Sequence, residues 1–433
     1  MKRVTPKAFS HGKKIAVIGI GRVGLPLALV LANEGFTVYG IGRDKSKIDV
    51  INKGKMPFME EGATTLLKRT IGKNFFATTD YTPIDTCDYI ILTLGTPVDE
   101  NMNPVLDQIN SSIDKIKPYI RPGQTLILRS TVSPRTTQYV QTILEEIEGI
   151  IVGKNFFLAF CPERISEGHS LEEIKSIPQI IGGVDRKSTK KADELFRAFG
   201  VDTILTDDTS AELAKLFTNM YRYINFAIAN EFMVLAHNYH KDIYEIVNLV
   251  NYKYKRGGLS IPGLTGGPCL FKDGFFLISD LPFIDLIATS WKINESMPLF
   301  LTKLIRERMK LKGKKAVILG LSFKAEIDDI RESLSFKVRK ALIREKAKIT
   351  LHDPYIKNYI NQEIEEDVYA AVKDADLIFI ATNHKVYKSL DMKKIKSLVK
   401  KNCIVCDIWN VWGTNRIIYK INYADEVDSF MKD

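Results

Sequence analysis

From Lys13 the chain reads KKIAVIGIGRVGLPLALVLANEGFTVYGIGRD: a β-branched run, a glycine turn, a long apolar stretch closing on Gly35, and a second short apolar run. Strand, helix and strand in that order predict a βαβ unit. Strand-like runs recur at CDYIILTLGTP, QTLILRSTVSP and NFFLAFCPE, with helical or turn segments between them. A mostly parallel sheet with helices on its faces follows. From about Thr209 to Met309 the pattern changes, because ELAKLFTNMYRYINFAIANEFMVLAHNYH sets apolar residues at helical spacing over many turns. That predicts a long helix followed by more helices. Strands return with KKAVILGLSFK, KAKITLHDPY, ADLIFIATN and NCIVCDIWN. The expected fold is α/β: two Rossmann-like doubly wound domains, 1–208 and 310–433, joined by a long central helix and a helical middle domain, 209–309.

Composition changes this picture little. A chain of 433 residues, 45% hydrophobic and 26% charged, fits two or three domains rather than one small core. The net charge of +10 comes from dispersed Lys and Arg, with runs at Lys312–Lys315 and Lys393–Lys401. Without a basic tail or interleaved aromatics this reads as a solvated surface that helps gather an anionic substrate, not as a nucleic-acid site. No stretch approaches ~18 apolar residues, and MKRVTPKAFSHGKK lacks a signal-peptide segment, so a cytoplasmic protein without membrane contact is expected. Five cysteines make a disulfide framework unexpected. Cys403 and Cys406 form a CxxC, but KNCIVCDIW reads as a buried strand, and no metal is expected.

Chemistry first shows at the glycine turn. Gly19, Gly21 and Gly24 form G-x-G-x-x-G after a strand and at a helix start, with Arg22 and Val23 inside the motif. In that setting the first glycine permits the turn, the second admits a pyrophosphate, and the third lets helix and strand pack. The ribose-binding acid expected about 20 residues on is replaced by Gly42, followed by Arg43 and Asp44. Either Asp44 reaches an NAD ribose or Arg43 accommodates the 2′-phosphate of NADP; both cofactors stay open.

In PGLTGGPCLFKD, Gly266 and Gly267 bring backbone close to Cys269, and Lys272 and Asp273 follow within one helical turn. Spacing alone favours a structural thiol over a nucleophile. The chain, however, resembles the UDP-glucose/GDP-mannose dehydrogenase family from Lys14 to about Asn410. The motifs are GIGRVGLPLA, PFMEEG, Thr96-Pro97, STVSPRT, CPERISEG, AELAKLFTN, GGPCLFKD and GLSFKAEIDDIRES, in the family's order.

The resemblance implies a two-step oxidation of a sugar C6 alcohol to a carboxylate, with Cys269 carrying a thiohemiacetal and then a thioester. It implies that Lys215 stabilises the alkoxide-like oxygen and that Asn219, one turn on, donates to it or holds water. Glu163 would be the base in thioester hydrolysis, Asp273 would position water, Glu167 would face or support substrate, and Thr131 would hold water near the cofactor. Without the motif, Thr131 reads equally as a strand-end hydroxyl bonded to local backbone. Thr96 falls to the cofactor and Gly266 to the substrate. Lys324 and Arg331, in FKAEIDDIRES, would meet the diphosphate or sugar. A homodimer or higher homo-oligomer built around the central helix is implied as well.

Arg164 in PER and His384 in ATNHKVY resemble the branch that oxidises UDP-N-acetylmannosamine or UDP-N-acetylglucosamine; UDP-glucose is the alternative substrate. Three positions depart from the family pattern: Gly42, Arg135 where glycine is usual, and Trp409 where arginine is usual. A catalytically idle sugar-nucleotide binder on the same fold, and a two-electron dehydrogenase of hydroxy acids, are the competing readings.

Overall fold

The computed structural model describes residues 12–256, 258–278, 285–359 and 362–423. They divide into two compact units, one running to Thr218 and including the short helix Phe275–Ile278, the other starting at Asn219 and holding the remainder.

The first unit is built on eight strands: β1 (Lys14–Ile18), β2 (Thr37–Ile41), β3 (Phe75–Thr78), β4 (Tyr89–Leu92), β5 (Thr125–Leu128), β6 (Phe157–Phe160), β7 (Gln179–Gly183) and β8 (Thr203–Asp207). Their order is β3-β2-β1-β4-β5-β6-β7-β8, parallel throughout except between β6 and β7. Ile15, Ala16 and Val17 of β1 are fully buried, as expected of a central strand covered on both faces. The helix after it, α1 (Gly24–Asn33), is buried almost all round, which is why its sequence is apolar rather than amphipathic. The order reverses between β1 and β4, so the loops leaving those two strands flank the crevice where α/β sheets take ligands. α2 (Lys45–Asn52) follows β2, and α3 (Thr136–Glu145) follows β5.

The long helix α4 spans Asp208–Asn238, as the helical spacing predicts, and α5 covers Asp285–Arg306. The second unit carries β9 (Lys315–Leu319), β10 (Lys348–His352), β11 (Leu377–Ile380), β12 (Ile404–Asp407) and β13 (Ile418–Lys420) in the order β10-β9-β11-β12-β13. Only β12 and β13 pair antiparallel. Here the switch lies between β9 and β11, which end at GLSFK and ATNH. Cys403 and Cys406 are buried in and beside β12, as the CxxC reading required.

Four strands carry weak sequence signals. β3 is an edge strand, β7 ends in two glycines, β13 is an antiparallel edge, and β8 is an edge strand that leaves Ile204 and Leu205 half exposed.

Candidate active site

The glycine turn has the three steric roles that its spacing calls for. Gly19 has φ +95°, and a Cβ there would lie 2.5 Å from the Thr93 carbonyl oxygen. A Cβ on Gly24 would collide with Thr93 Oγ1 and the Gly19 carbonyl, whereas Gly21 has nothing within 4 Å of that position. Only the middle glycine faces open space, where a pyrophosphate can approach backbone N–H groups at the start of α1. The residues therefore fit a dinucleotide. Thr93 Oγ1 donates to the carbonyls of Ile18 (3.0 Å) and Gly19 (2.8 Å), pinning the end of β4 to the turn. Nothing in the motif singled Thr93 out, because its role depends on β4 lying beside β1.

At the end of β2, a Cβ on Gly42 would sit 3.1–3.2 Å from Ile48 and Ile20. Asp44 caps α2: its Oδ1 accepts from Ser46 N (3.0 Å), Ser46 Oγ (2.6 Å) and Lys47 N (3.2 Å). Those bonds hold its carboxyl below the usual range. Arg43 is exposed, and Thr96 is buried beyond the end of β4.

Beyond β5 and β6 lie the carboxylates of the first unit. Glu163 is buried, and both its oxygens are engaged. Oε2 accepts from Arg129 Nε (2.7 Å) and pairs with Arg129 Nη2 (2.6 Å), while Oε1 accepts from the backbone N–H groups of Arg164 (2.9 Å) and Ile165 (3.1 Å). Arg129, buried and also bonded to Gln179 Oε1 (2.8 Å), carries no motif signal, since a strand-end arginine ordinarily faces solvent. The Arg164 guanidinium donates to the Pro178 carbonyl. Glu167 lies 3.9 Å from Arg22 of the glycine turn, and Arg22 stacks 5.1 Å over Phe58 of PFMEEG. Glu60 of the same motif accepts from Gly168 N (3.0 Å) and from Ser170 N (2.7 Å) and Oγ (3.0 Å), which anchors the far end of the ERISEG loop. Thr131 is half-buried just past β5, next to Ser130, whose hydroxyl accepts from Leu94 N (2.7 Å). Lys215 is half-buried on α4.

The second unit holds Asn219, Cys269 and Asp273. Cys269 is the exposed thiol of the chain; Cys87, Cys161, Cys403 and Cys406 are buried. Burial pushes the thiols of Cys87, Cys161 and Cys403 up to about 12 and raises that of Cys406 well above its ordinary value. Asp273, one turn after Cys269, is fully buried and donates its N–H to the Cys269 carbonyl (3.0 Å). Its Oδ2 accepts from Asn219 Nδ2 at 2.6 Å and its Oδ1 from Lys272 Nζ at 3.0 Å. The glycines ahead of the thiol are needed for close packing. A Cβ on Gly266 would strike the Glu332 carbonyl, and one on Gly267 (φ +98°) would lie 2.5 Å from the Phe323 ring.

That contact docks the cysteine loop on the loop after β9, which carries Lys324 and Arg331. Asp353 holds the latter loop: Oδ2 accepts from Leu321 N (2.6 Å) and Ser322 N (3.2 Å). Lys324 is half-buried, and Arg331 forks onto Asp329 with Nε 2.9–3.0 Å from both oxygens. Among the described residues no cluster of three or more His, Cys, Asp or Glu could hold a metal ion, and no helix is long and apolar enough to cross a membrane.

Residues 13–200 match the NAD binding domain, 209–296 the central domain and 317–414 the UDP binding domain of the UDP-glucose/GDP-mannose dehydrogenase family. The UDP-N-acetyl-D-mannosamine dehydrogenase of Methanocaldococcus jannaschii is 34% identical over 92% of this chain and 93% of its own. The chain belongs to this family. Among solved structures, the UDP-D-ManNAc dehydrogenase of Pyrococcus horikoshii is similar with TM-score 0.84 and 31% identity, covering 89% of this chain and 93% of that one. The UDP-N-acetyl-mannosamine dehydrogenase of Staphylococcus aureus gives 0.83 and 30%, with coverage of 92% and 95%. Membership makes the protein an NAD-dependent nucleotide-sugar dehydrogenase with a UDP-sugar substrate.

Within this dehydrogenase, His384 is fully buried, and its ring is bonded on both sides. Nδ1 accepts from Glu326 N (3.0 Å), which places the proton on Nε2, facing Ser322 Oγ (3.1 Å) and Asp353 Oδ2 (3.3 Å). It braces the loop carrying Lys324. Trp409 packs its ring over Gly263, where a Cβ would collide with it, and donates Nε1–H to the Ala381 carbonyl (2.9 Å). The departure at Trp409 is therefore an internal contact with the cysteine loop. Arg135, another of the three departures, has φ +69°, a conformation that favours glycine.

Proposed function

We propose that the protein is a UDP-N-acetylhexosamine 6-dehydrogenase, most specifically for UDP-N-acetylmannosamine, working through a covalent intermediate on Cys269. The observation that carries this reading is an exposed Cys269 one turn from a buried Asp273 held by Asn219 and Lys272. The names of the archaeal and staphylococcal relatives point to the mannosamine sugar.

Gly19, Gly21, Arg22, Val23 and Gly24 would hold NAD, which would supply the hydride acceptor, with Gly21 giving the pyrophosphate room to approach the backbone. The C6 alcohol loses a proton and a hydride to give an aldehyde. Cys269 Sγ adds to the aldehyde carbon to form a thiohemiacetal, whose second hydride loss leaves a thioester. Water then cleaves the carbon–sulfur bond, releasing the acid and regenerating the thiol. Over the cycle one alcohol, one water and two NAD⁺ give one carboxylate, two NADH and three protons. Lys215 and Asn219 stabilise negative charge on the C6 oxygen, Asp273 orients Asn219 and water, and Thr131 holds water. Glu163 acts as base for hydrolysis once Oε1 exchanges a backbone N–H for water. Lys324 and Arg331 bind the diphosphate, and Glu167 and Arg164 have substrate-binding roles, as the motifs they belong to imply.

A cytoplasmic location is part of the reading, supported by five cysteines that form no disulfide. So is a homodimer, supported by Tyr221, Ile228, Phe232 and Leu235, which leave an apolar stripe exposed on α4.

Each UDP-sugar, incubated with NAD or NADP, tests the reading by the reduced cofactor formed per sugar consumed. Two per sugar, greatest with UDP-N-acetylmannosamine, is expected. One per sugar would indicate a simple two-electron dehydrogenase, and none an idle binder.

A further inference from the structure

Glu212, in AELAKLFTN, has no part in the chemistry above, yet it is fully buried and holds three hydrogen bonds to a segment 75–77 residues away. Its Oε2 accepts from Arg135 N at 2.6 Å; its Oε1 accepts from Thr137 N at 2.8 Å and Thr137 Oγ1 at 2.6 Å. Arg135 and Thr137 open α3, whose N-cap residue, Arg135, makes no side-chain capping bond. Helix starts leave N–H groups without partners, and a local Ser, Thr, Asp or Asn ordinarily takes them. Here α4 provides the carboxylate instead.

We infer that Glu212 is a positioning residue, locking the STVSPRT turn to the helix that carries Lys215. Arg135 sits at φ +69°, ψ 8°, a left-handed conformation that costs a residue bearing a side chain and persists only where its surroundings over-determine it. The Arg135 side chain is exposed, so the bond from its N–H to Glu212 is what holds the backbone there. The turn is closed from the other side by Thr136 Oγ1, which donates to the Ser133 carbonyl at 2.7 Å, and by buried Val132. Thr131 is thereby tied to the carboxylate through four residues of constrained backbone. Lys215 follows Glu212 by three residues, on the same face of α4. One side chain thus sets the spacing between the hydroxyl read as holding water and the ammonium read as stabilising the C6 oxygen.

This inference rests on the roles proposed for Thr131 and Lys215, so its test includes a readout that needs no turnover. In the full-length enzyme, Glu212→Gln keeps the volume but leaves one acceptor oxygen and turns an NH₂ toward a backbone N–H. Hydrogen exchange across residues 132–140 should quicken at least about tenfold, with kcat falling about tenfold or more and KM for the UDP-sugar within about twofold. Adding Arg135→Gly, which takes the left-handed conformation without help, should restore exchange protection and at least about threefold of the lost kcat. Should Glu212→Gln fold poorly, Thr137→Val removes one bond of the three and should lower kcat by a smaller factor at unchanged KM. Unchanged exchange at 132–140, or a loss that Arg135→Gly does not reduce, overturns the lock. A wild-type enzyme that oxidises no UDP-sugar overturns the functional reading alone, since the exchange result stands without it.

Discussion

Asn219 Nδ2 and Asp273 Oδ2 meet at 2.6 Å across 54 residues of chain, with Lys272 on the other carboxylate oxygen. Asp273 is fully buried, so each of these partners offsets the cost of keeping a carboxylate out of water. The same bond fixes the Asn219 amide and leaves its carbonyl and second N–H to face other groups. Asp273→Asn turns one of those contacts into a donor facing a donor. Activity should drop at least about 100-fold, with a stability loss of about 2–4 kcal/mol, read by denaturant melts beside steady-state rates.

Cys269 should be the first cysteine alkylated by iodoacetamide near neutral pH. The other four thiols are buried, and burial raises the pKa of each well above the ordinary thiol value, so peptide mass spectrometry should find the label on Cys269 alone at low dose. Cys269→Ser should lower uronate release by about 1000-fold or more. Undiminished release would sink the covalent route.

Two glycines of one turn should fail differently. At Gly21 an added methyl meets open space in the protein, so Gly21→Ala should leave Tm near wild type and raise KM for NAD about tenfold or more. At Gly24 it meets Thr93 Oγ1 and the Gly19 carbonyl, so Gly24→Ala should lower Tm by several degrees, roughly the effect of 1–3 kcal/mol of overpacking.

Glu163→Gln separates hydrolysis from oxidation. The variant should release a burst of about two NADH per active site and then stall as the thioester, detectable by intact mass. Continued turnover at the wild-type rate would remove Glu163 from the hydrolytic step.

Burial raises the Glu212 carboxyl to about 7, above its ordinary value near 4.5, with Asp208 adding a like charge; the bonds from Thr137 and Arg135 oppose both. Between those two pH values the folded state keeps a proton that the unfolded chain has released. Stability from this group is full below about 4.5, declines as pH rises toward 7, and levels off above, a change of up to about 3 kcal/mol. Glu212→Gln should flatten that part of the profile in melts taken from pH 5 to 8.

The βαβ entry, the glycine turn, the long helix and the second sheet are legible in the sequence because each depends on local periodicity or on a backbone conformation only glycine adopts freely. Motif order went further, offering Cys269, Lys215, Asn219 and Asp273 as candidates, and the structure brings Asn219 and Asp273 together beside Cys269. Periodicity does not show which distant side chains satisfy a buried charge. Glu163 is paired by Arg129, Glu60 holds the ERISEG loop, and His384 braces the Lys324 loop; each partner lies tens to more than a hundred residues away in the chain.

Left to itself the sequence determined the central strands, the long helix and their order, since helical and strand spacing are properties of neighbouring residues. It also placed a cysteine, a lysine and carboxylates in the chain. Only the tertiary structure decided that Cys269 is exposed while four like thiols are buried, and that Asp273 is held by Asn219 and Lys272. It likewise decided that Arg135 endures a glycine's backbone conformation beneath Glu212. Burial and long-range hydrogen bonding exist only once the chain has closed on itself, and they set which side chains reach water and which charges find a partner.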